Sequence, residues 1–165
     1  MILIADSGST KTDWRLVHSN GNTSSYHTIG FNPYHIKEPV ILEALQGAEL
    51  SEIKQKVTQV FFYGSGCSTP QNCWMIEGVL SSFFSQAKIA VWHDMLAVAR
   101  ATCGKEKGMA AILGTGANSC WYDGHLIVEN VAALGYILGD YGSGAHIGKA
   151  IVCGFLENEL PQEIA

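Results

Sequence analysis

Two short glycine turns and one carboxylate hold the residues best suited to chemistry in this chain. In Asp6-Ser7-Gly8-Ser9-Thr10-Lys11-Thr12, small side chains let backbone N–H groups approach an anion, Thr10 and Lys11 add side-chain donors, and Asp6 can hold a magnesium ion through water. Gly114-Thr115-Gly116-Ala117-Asn118-Ser119 repeats that logic without a carboxylate. Phosphoryl transfer needs such donors and a metal around the phosphate oxygens, with a base near the attacking hydroxyl, because positioning and charge stabilisation supply most of the catalysis. Asp94, at the end of an apolar run, is the candidate base. Each feature has a plainer reading beside the chemical one. Either turn alone is an ordinary hairpin connection, and Asp94 alone is a helix cap. Neither turn matches the Gly-Lys spacing of a P-loop.

The elements that must position these residues follow from hydrophobic period and turn signals. Apolar alternation predicts strands over Ile2–Asp6, Thr12–His18 and Ser24–Ile29, with Asn20-Gly21 as a hairpin turn, giving an antiparallel meander. A helix is predicted around Val40–Leu50, a strand over Lys56–Tyr63, a helix opened by Pro70 and running to about Phe84, a strand over Lys88–His93, and a helix over Met95–Cys103 closed by Gly104. Trp74, Phe83 and Phe84 read as one packed face of the Pro70 helix. His93 precedes Asp94, but neighbours on a strand point to opposite faces, so His93 reads as core or surface rather than as a partner of the carboxylate. Setting Ile2–Gly8 beside Ala110–Gly116 then shows a second strand, glycine turn and strand. Strands are predicted over Met109–Leu113, Ser119–Tyr122 and His125–Asn130, with a helix over roughly Ala145–Glu159. The expected architecture is α/β, with a first domain over residues 1–106 and the beginning of a second, apparently incomplete, over 107–165.

Composition narrows the function. The chain is 47% hydrophobic and 15% charged, enough to bury a core, and its formal net charge of −5 with scattered Lys and Arg lacks the footprint of a nucleic-acid binder. Five cysteines at irregular spacing and a start without a leader pattern predict a cytoplasmic protein with buried or incidental thiols, and no apolar run is long enough to span a membrane.

Asp6-x-Gly8-x-Thr10-Lys11 resembles the first phosphate motif of the actin and hexokinase superfamily, and Leu113-Gly114-Thr115-Gly116 resembles its second. Gly135-Tyr136-Ile137-Leu138-Gly139-Asp140-Tyr141-Gly142-Ser143-Gly144 resembles the Gly-x-x-x-Gly-Asp-Glu-Gly-Ser segment of the N-acetylglucosamine kinases, with Tyr141 standing where that family has glutamate. The resemblance runs from Met1 to about Gly154. It implies ribonuclease-H-like domains, ATP and Mg as cofactors, and N-acetylglucosamine phosphorylated to its 6-phosphate. It further implies phosphate contacts from Thr10 and Thr115 within the two turns (Asp6, Gly8, Ser9, Thr10, Lys11; Gly114, Thr115, Gly116), and Asp94 as general base. Sugar contacts are implied at Asn32, Asp94, Asn118, Gly135 and Asp140, although Asn32 before Pro33 is also a plain turn former and Asp140 also a plain loop carboxylate. Two other readings stand beside the kinase. One is an ATPase activator of a CoA-ester reductase or dehydratase, which needs closely placed cysteines for an iron–sulfur cluster; the other is a non-catalytic sugar-binding or interaction module. Because family members continue further, this chain is expected to keep some sugar affinity, to bind ATP weakly with slight or absent kinase activity, and to associate, for instance as a homodimer, through an unpaired sheet edge.

Overall fold

The computed structural model describes residues 1–131, 134–161 and 163–164. These divide into two compact units, Met1–Ala97 and Val98–Ala165, and the division falls inside one helix.

The first unit is a five-stranded sheet in the order β3-β2-β1-β4-β5, from β1 (Ile2–Ser7), β2 (Lys11–Val17), β3 (Thr23–Ile29), β4 (Gln59–Gly64) and β5 (Lys88–His93). The first three strands form the expected antiparallel meander, while β4 and β5 join β1 in parallel. Parallel neighbours need crossover helices, and the helices α1 (Glu38–Gly47) and α3 (Pro70–Phe83) provide them. Alternation along β1 and β2 turns Leu3, Ala5, Trp14 and Leu16 to the helix side. There they meet Ile41 and Leu45 of α1 and Ile76 and Leu80 of α3 in one buried cluster. Trp14 is its centre, with Phe31, Phe62 and Phe84 at ring-centroid distances of 6.1, 6.0 and 6.4 Å. Each such fully buried side chain contributes about 1.5–3 kcal/mol, so the helix-side face fixes the sheet and frees its other face for chemistry.

Three local expectations are corrected. The Val40–Leu50 helix breaks after Gly47, where Ala48 is extended, and resumes as the short α2 (Leu50–Ile53). The strand expected from Lys56 starts at Gln59, because Lys54–Lys56 make a 3-10 turn. In α3, which Thr69 caps by accepting the Asn72 N–H, Phe83 is buried but Trp74 stands at 66% exposure, outside the packed face.

The second unit contains most of α4 (Asp94–Cys103), the meander β6 (Gly108–Leu113), β7 (Ala117–Tyr122) and β8 (Ile127–Asn130), the short α5 (Gly135–Leu138) and α6 (Gly144–Leu156). The repeat of strand, glycine turn and strand is present, in a shifted register. Since β1 ends at Ser7 and β6 at Leu113, Gly8 corresponds to Gly114 and not to Gly116. Both first glycines donate across their turn, Gly8 N–H to Lys11 O and Gly114 N–H to Gly116 O, each at 2.9 Å. Ala110, Cys120 and Tyr122 are buried, whereas Ile147, Ile151, Val152 and Phe155 of α6 are exposed. Among the described residues, no helix is long and apolar enough to cross a membrane.

Candidate active site

In the first unit the site grows from the carboxyl edge of the sheet. The parallel strands β1, β4 and β5 end in register, with Ser7 opposite Gly64 and Gly64 opposite His93. The segments that follow, Gly8–Thr10, Ser65–Gly66 and Asp94, therefore leave the sheet along one edge, the place where open α/β sheets hold ligands.

The glycine turn is held from beneath by buried hydroxyls. Ser7 lies on the helix-side face of β1, where an unbonded hydroxyl would be costly. Its Oγ is 2.7 Å from Thr12 Oγ1 and accepts the Phe31 N–H at 3.0 Å, while Thr12 Oγ1 donates to Ile29 O at 2.9 Å. Gly30 N–H donates to Thr10 O at 2.9 Å. A Cβ at Gly30 would come within 2.3 Å of Gly8 O, so only glycine permits this approach of chain to turn. Ser7, Thr12 and Gly30 were not singled out from the sequence. The available signal was the strand period, which puts Ser7 on the same face as Leu3 and Ala5 and so obliges its hydroxyl to find a partner.

Gly8, Ser9, Thr10 and Lys11 are all exposed at the turn. Ser9 Oγ accepts from Asn32 Nδ2 at 2.8 Å, and Asn32 Oδ1 accepts the Tyr34 N–H at 3.1 Å. Asn32 is thus buried and pins the turn to the following loop. A Cβ on Gly66 would lie 2.3 Å from Asn32 Oδ1, and Gly66 has φ +82°, so this second close approach also requires glycine. The Lys11 ammonium sits 2.7 Å from Asp13 Oδ2, with His27 Nδ1 2.7 Å from the other oxygen.

Asp6 projects from the opposite face of β1, across the ladder from Asp13. Burial first, then the charges of Asp94 and Asp13, push its carboxyl above the ordinary value, and Lys11 opposes them. Two sequence-predicted carboxylates, Asp6 and Asp94, are therefore within each other's field. Asp94 opens α4 and is half-buried. Its Oδ1 accepts the Met95 N–H at 2.7 Å and lies 2.9 Å from His93 Nδ1. The expectation that His93 faces away from Asp94 is overturned, because the strand ends at His93 and strand alternation does not extend into the helix. Behind this pair, burial pushes the Cys67 thiol up to about 12, with smaller contributions from Cys73 and Asp94, so it stays an uncharged thiol. Among the described residues no group of three or more His, Cys, Asp or Glu gathers to hold a metal.

In the second unit, Asn118 and Asp140 line one cavity of about 440 Å³, together with Leu113, Val131, Leu134 and Tyr141. Asp140 is half-buried, with φ +56°, and its Oδ1 accepts the Ala117 N–H at 3.1 Å, just past the glycine turn. Gly116 faces that carboxylate: a Cβ there would be 3.2 Å from Asp140 Oδ2. The turn is also tied to the start of α6, where Gly144 N–H donates to Gly114 O at 2.8 Å and Ala145 N–H to Thr115 O at 3.1 Å. Ser143 caps this helix through the His146 N–H. The segment singled out as a third motif thus anchors the second turn. Gly135, at φ +71°, starts α5 outside the cavity lining, and its carbonyl accepts the Gly139 N–H. Tyr141 is exposed, with its ring 5.5 Å from that of His146.

No family model matches the chain. It is 25% identical over 164 residues to N-acetyl-D-glucosamine kinase of Dictyostelium discoideum, a match covering 89% of this chain and 51% of that protein. A solved structure from Porphyromonas gingivalis, provisionally named N-acetylglucosamine kinase, is 42% identical with a TM-score of 0.91, covering 98% of this chain and 58% of that one. A similarly named structure from Chromobacterium violaceum is 19% identical with a TM-score of 0.64, covering 92% and 55%, a likeness of fold. The chain has the ribonuclease-H-like fold of the actin and hexokinase ATPases and, over about half of their length, is similar to proteins named N-acetylglucosamine kinase.

Proposed function

We propose that this chain carries phosphate-binding and base residues of an ATP-dependent sugar kinase, and that its substrate is N-acetylglucosamine, phosphorylated at the 6-hydroxyl. The observation that carries the reading is the in-register ending of β1, β4 and β5, which sets a glycine turn, Asp6 and Asp94 along one sheet edge. The names of the relatives support the choice of sugar.

In this reading the exposed backbone N–H groups and the Thr10 hydroxyl donate to phosphate oxygens, with Thr115 and its turn in the second unit doing the same. Asp94 accepts the proton of the sugar hydroxyl as it attacks the terminal phosphorus, and the leaving group departs with the bond electrons. Asp6 suits water-mediated contact with magnesium: its carboxylate stands near the strand end, and burial first, then the charges of Asp94 and Asp13, raise it, two carboxylates that a cation there would offset. A bound magnesium ion would neutralise phosphate charge there. Asn118 and Asp140, in the cavity of the second unit, are proposed sugar contacts, as is Asn32.

The test measures transfer of labelled phosphate from ATP to N-acetylglucosamine and to glucose, alongside calorimetric titration of each sugar. Transfer to the amino sugar by the complete enzyme, lowered about 10²- to 10⁴-fold in Asp94→Asn with sugar affinity retained, is the expected result. Stronger binding of glucose would overturn the substrate, and sugar binding without any transfer would favour a binding module over a kinase.

A further inference from the structure

We infer that His93 is a positioning residue which, through a proton on Nδ1, holds Asp94 Oδ1 so that Oδ2 is the oxygen presented to a sugar hydroxyl. The inference rests on the reading of Asp94 as the base. A carboxylate can turn about its terminal torsion, and a base that acts from one oxygen works only when that oxygen is aimed. Here both contacts fall on Oδ1: the Met95 N–H at 2.7 Å and His93 Nδ1 at 2.9 Å. Among the described residues no hydrogen bond to Oδ2 is seen, which leaves it as the proton acceptor.

The clamp is rigid on its own side. His93 is the last residue of β5 and is paired in the ladder with Gly64, so its backbone is fixed by the sheet, and its side chain is 32% exposed beside an Asp94 side chain at 26%. The other ionisable groups facing Asp94 come from β1, where Asp6 lies within its field, and from the loop after β4, where the Cys67 thiol is neutral. None of these donates a proton to Oδ1.

The geometry allows two arrangements of hydrogen, and they make opposite predictions. Met95 N also lies 3.2 Å from His93 Nδ1. If Nδ1 carries a proton it donates to Asp94 and the Met95 N–H goes to Oδ1 alone; if Nδ1 is bare it accepts from Met95 and cannot hold the carboxylate. Long-range ¹⁵N–¹H spectra of the labelled 165-residue chain read the proton position directly, with the His93 signal assigned by its loss in His93→Asn. A proton on Nδ1 is expected, and it is lost to the other ring nitrogen in a substantial fraction of molecules in Asp94→Ala. A ring protonated only on Nε2 in the wild-type chain overturns the inference whatever the activity.

The second arm separates positioning from folding. His93→Leu is expected to lower kcat for phosphate transfer about 10- to 100-fold with little change in the sugar KM, as loss of an orienting partner does elsewhere. His93→Asn, whose amide can donate from nearly the place of Nδ1, is expected to recover most of that loss. Equal kcat in His93→Leu and wild type, or an Asn variant no better than Leu, overturns it. Weak ATP binding can leave the wild-type chain without transfer, and the spectrum then decides by itself whether His93 holds Asp94, while the kinase reading is decided by transfer in the complete enzyme.

Discussion

Burial, and then the charges of Asp94 and Asp13, hold the Asp6 carboxyl above its ordinary value of 3.8, against an opposing pull from Lys11. A carboxyl raised on folding binds its proton more tightly in the folded state. Its contribution to stability is therefore complete below the unfolded value and is lost as pH rises through the folded one. At neutral pH the ionised Asp6 works against folding. Asp6→Asn is accordingly expected to raise the melting temperature at neutral pH, and to flatten the difference from wild type as the medium is acidified toward the ordinary carboxyl range. The same variant is expected to lose magnesium-dependent transfer. A variant less stable than wild type at neutral pH would show that Asp6 is held by favourable contacts instead. Asp13 carries the opposite sign, because hydrogen bonding to Lys11 and then to His27 lowers its carboxyl, so the pH dependence must be read as a difference between the two proteins.

At the scale of elements, the meander delivers the glycine turn through hydrogen bonds that cross from β1 and β2 to the end of β3. The Ser7 and Thr12 hydroxyls, the Ile29 carbonyl and the Phe31 N–H form one chain of bonds, buried at Ser7 and part-buried at Ile29. Thr12→Val keeps the shape of the side chain but removes one of two hydroxyls donating to Ile29 O, the other being Thr28 Oγ1 at 3.1 Å, and leaves the Ser7 hydroxyl without its acceptor. A loss of about 1–3 kcal/mol is expected in urea unfolding, with the slope unchanged. The same hydroxyls hold the turn open toward solvent, so ATP use should weaken further than stability alone explains. A stability equal to wild type would mean that these groups are satisfied by water in solution.

At the scale of the molecule, the two units differ in how much apolar surface they bury. The large buried cluster runs from Leu3 to Phe84, entirely in the first unit. The second unit buries Ala110, Cys120 and Tyr122 beneath its sheet, while the apolar side chains of α6 remain exposed. Local stability follows buried apolar contact, so amides of β6, β7 and α6 are expected to exchange with solvent at least about tenfold faster than those of β1, β4 and α3 in native-state hydrogen exchange. Uniform protection across both units would show that the chain unfolds as one cooperative body, or that association covers α6. Size-exclusion chromatography of the same sample distinguishes those two outcomes.

Local order was legible without coordinates wherever a short-range rule dominates. Alternation marked both meanders, with the Asn20-Gly21 turn in the first, and Pro70 marked the start of α3, because strand period, turn geometry and the first helical turn are settled within a few residues. The glycine turns and Asp94, each ordinary alone, stood out because the strand, glycine turn and strand recur and because the motifs resemble those of a known superfamily. Tertiary structure alone decided what depends on chain segments far apart in sequence. The parallel addition of β4 and β5 to β1 aligns Ser7, Gly64 and His93 at one edge, and no local pattern specifies that register. The strand-to-helix junction turned His93 onto Asp94 against the alternation rule, and the buried Asn32 amide proved to be a brace for Ser9. Polar groups removed from water must find partners wherever the fold brings them, and those partners are chosen by packing in three dimensions rather than by neighbours along the chain.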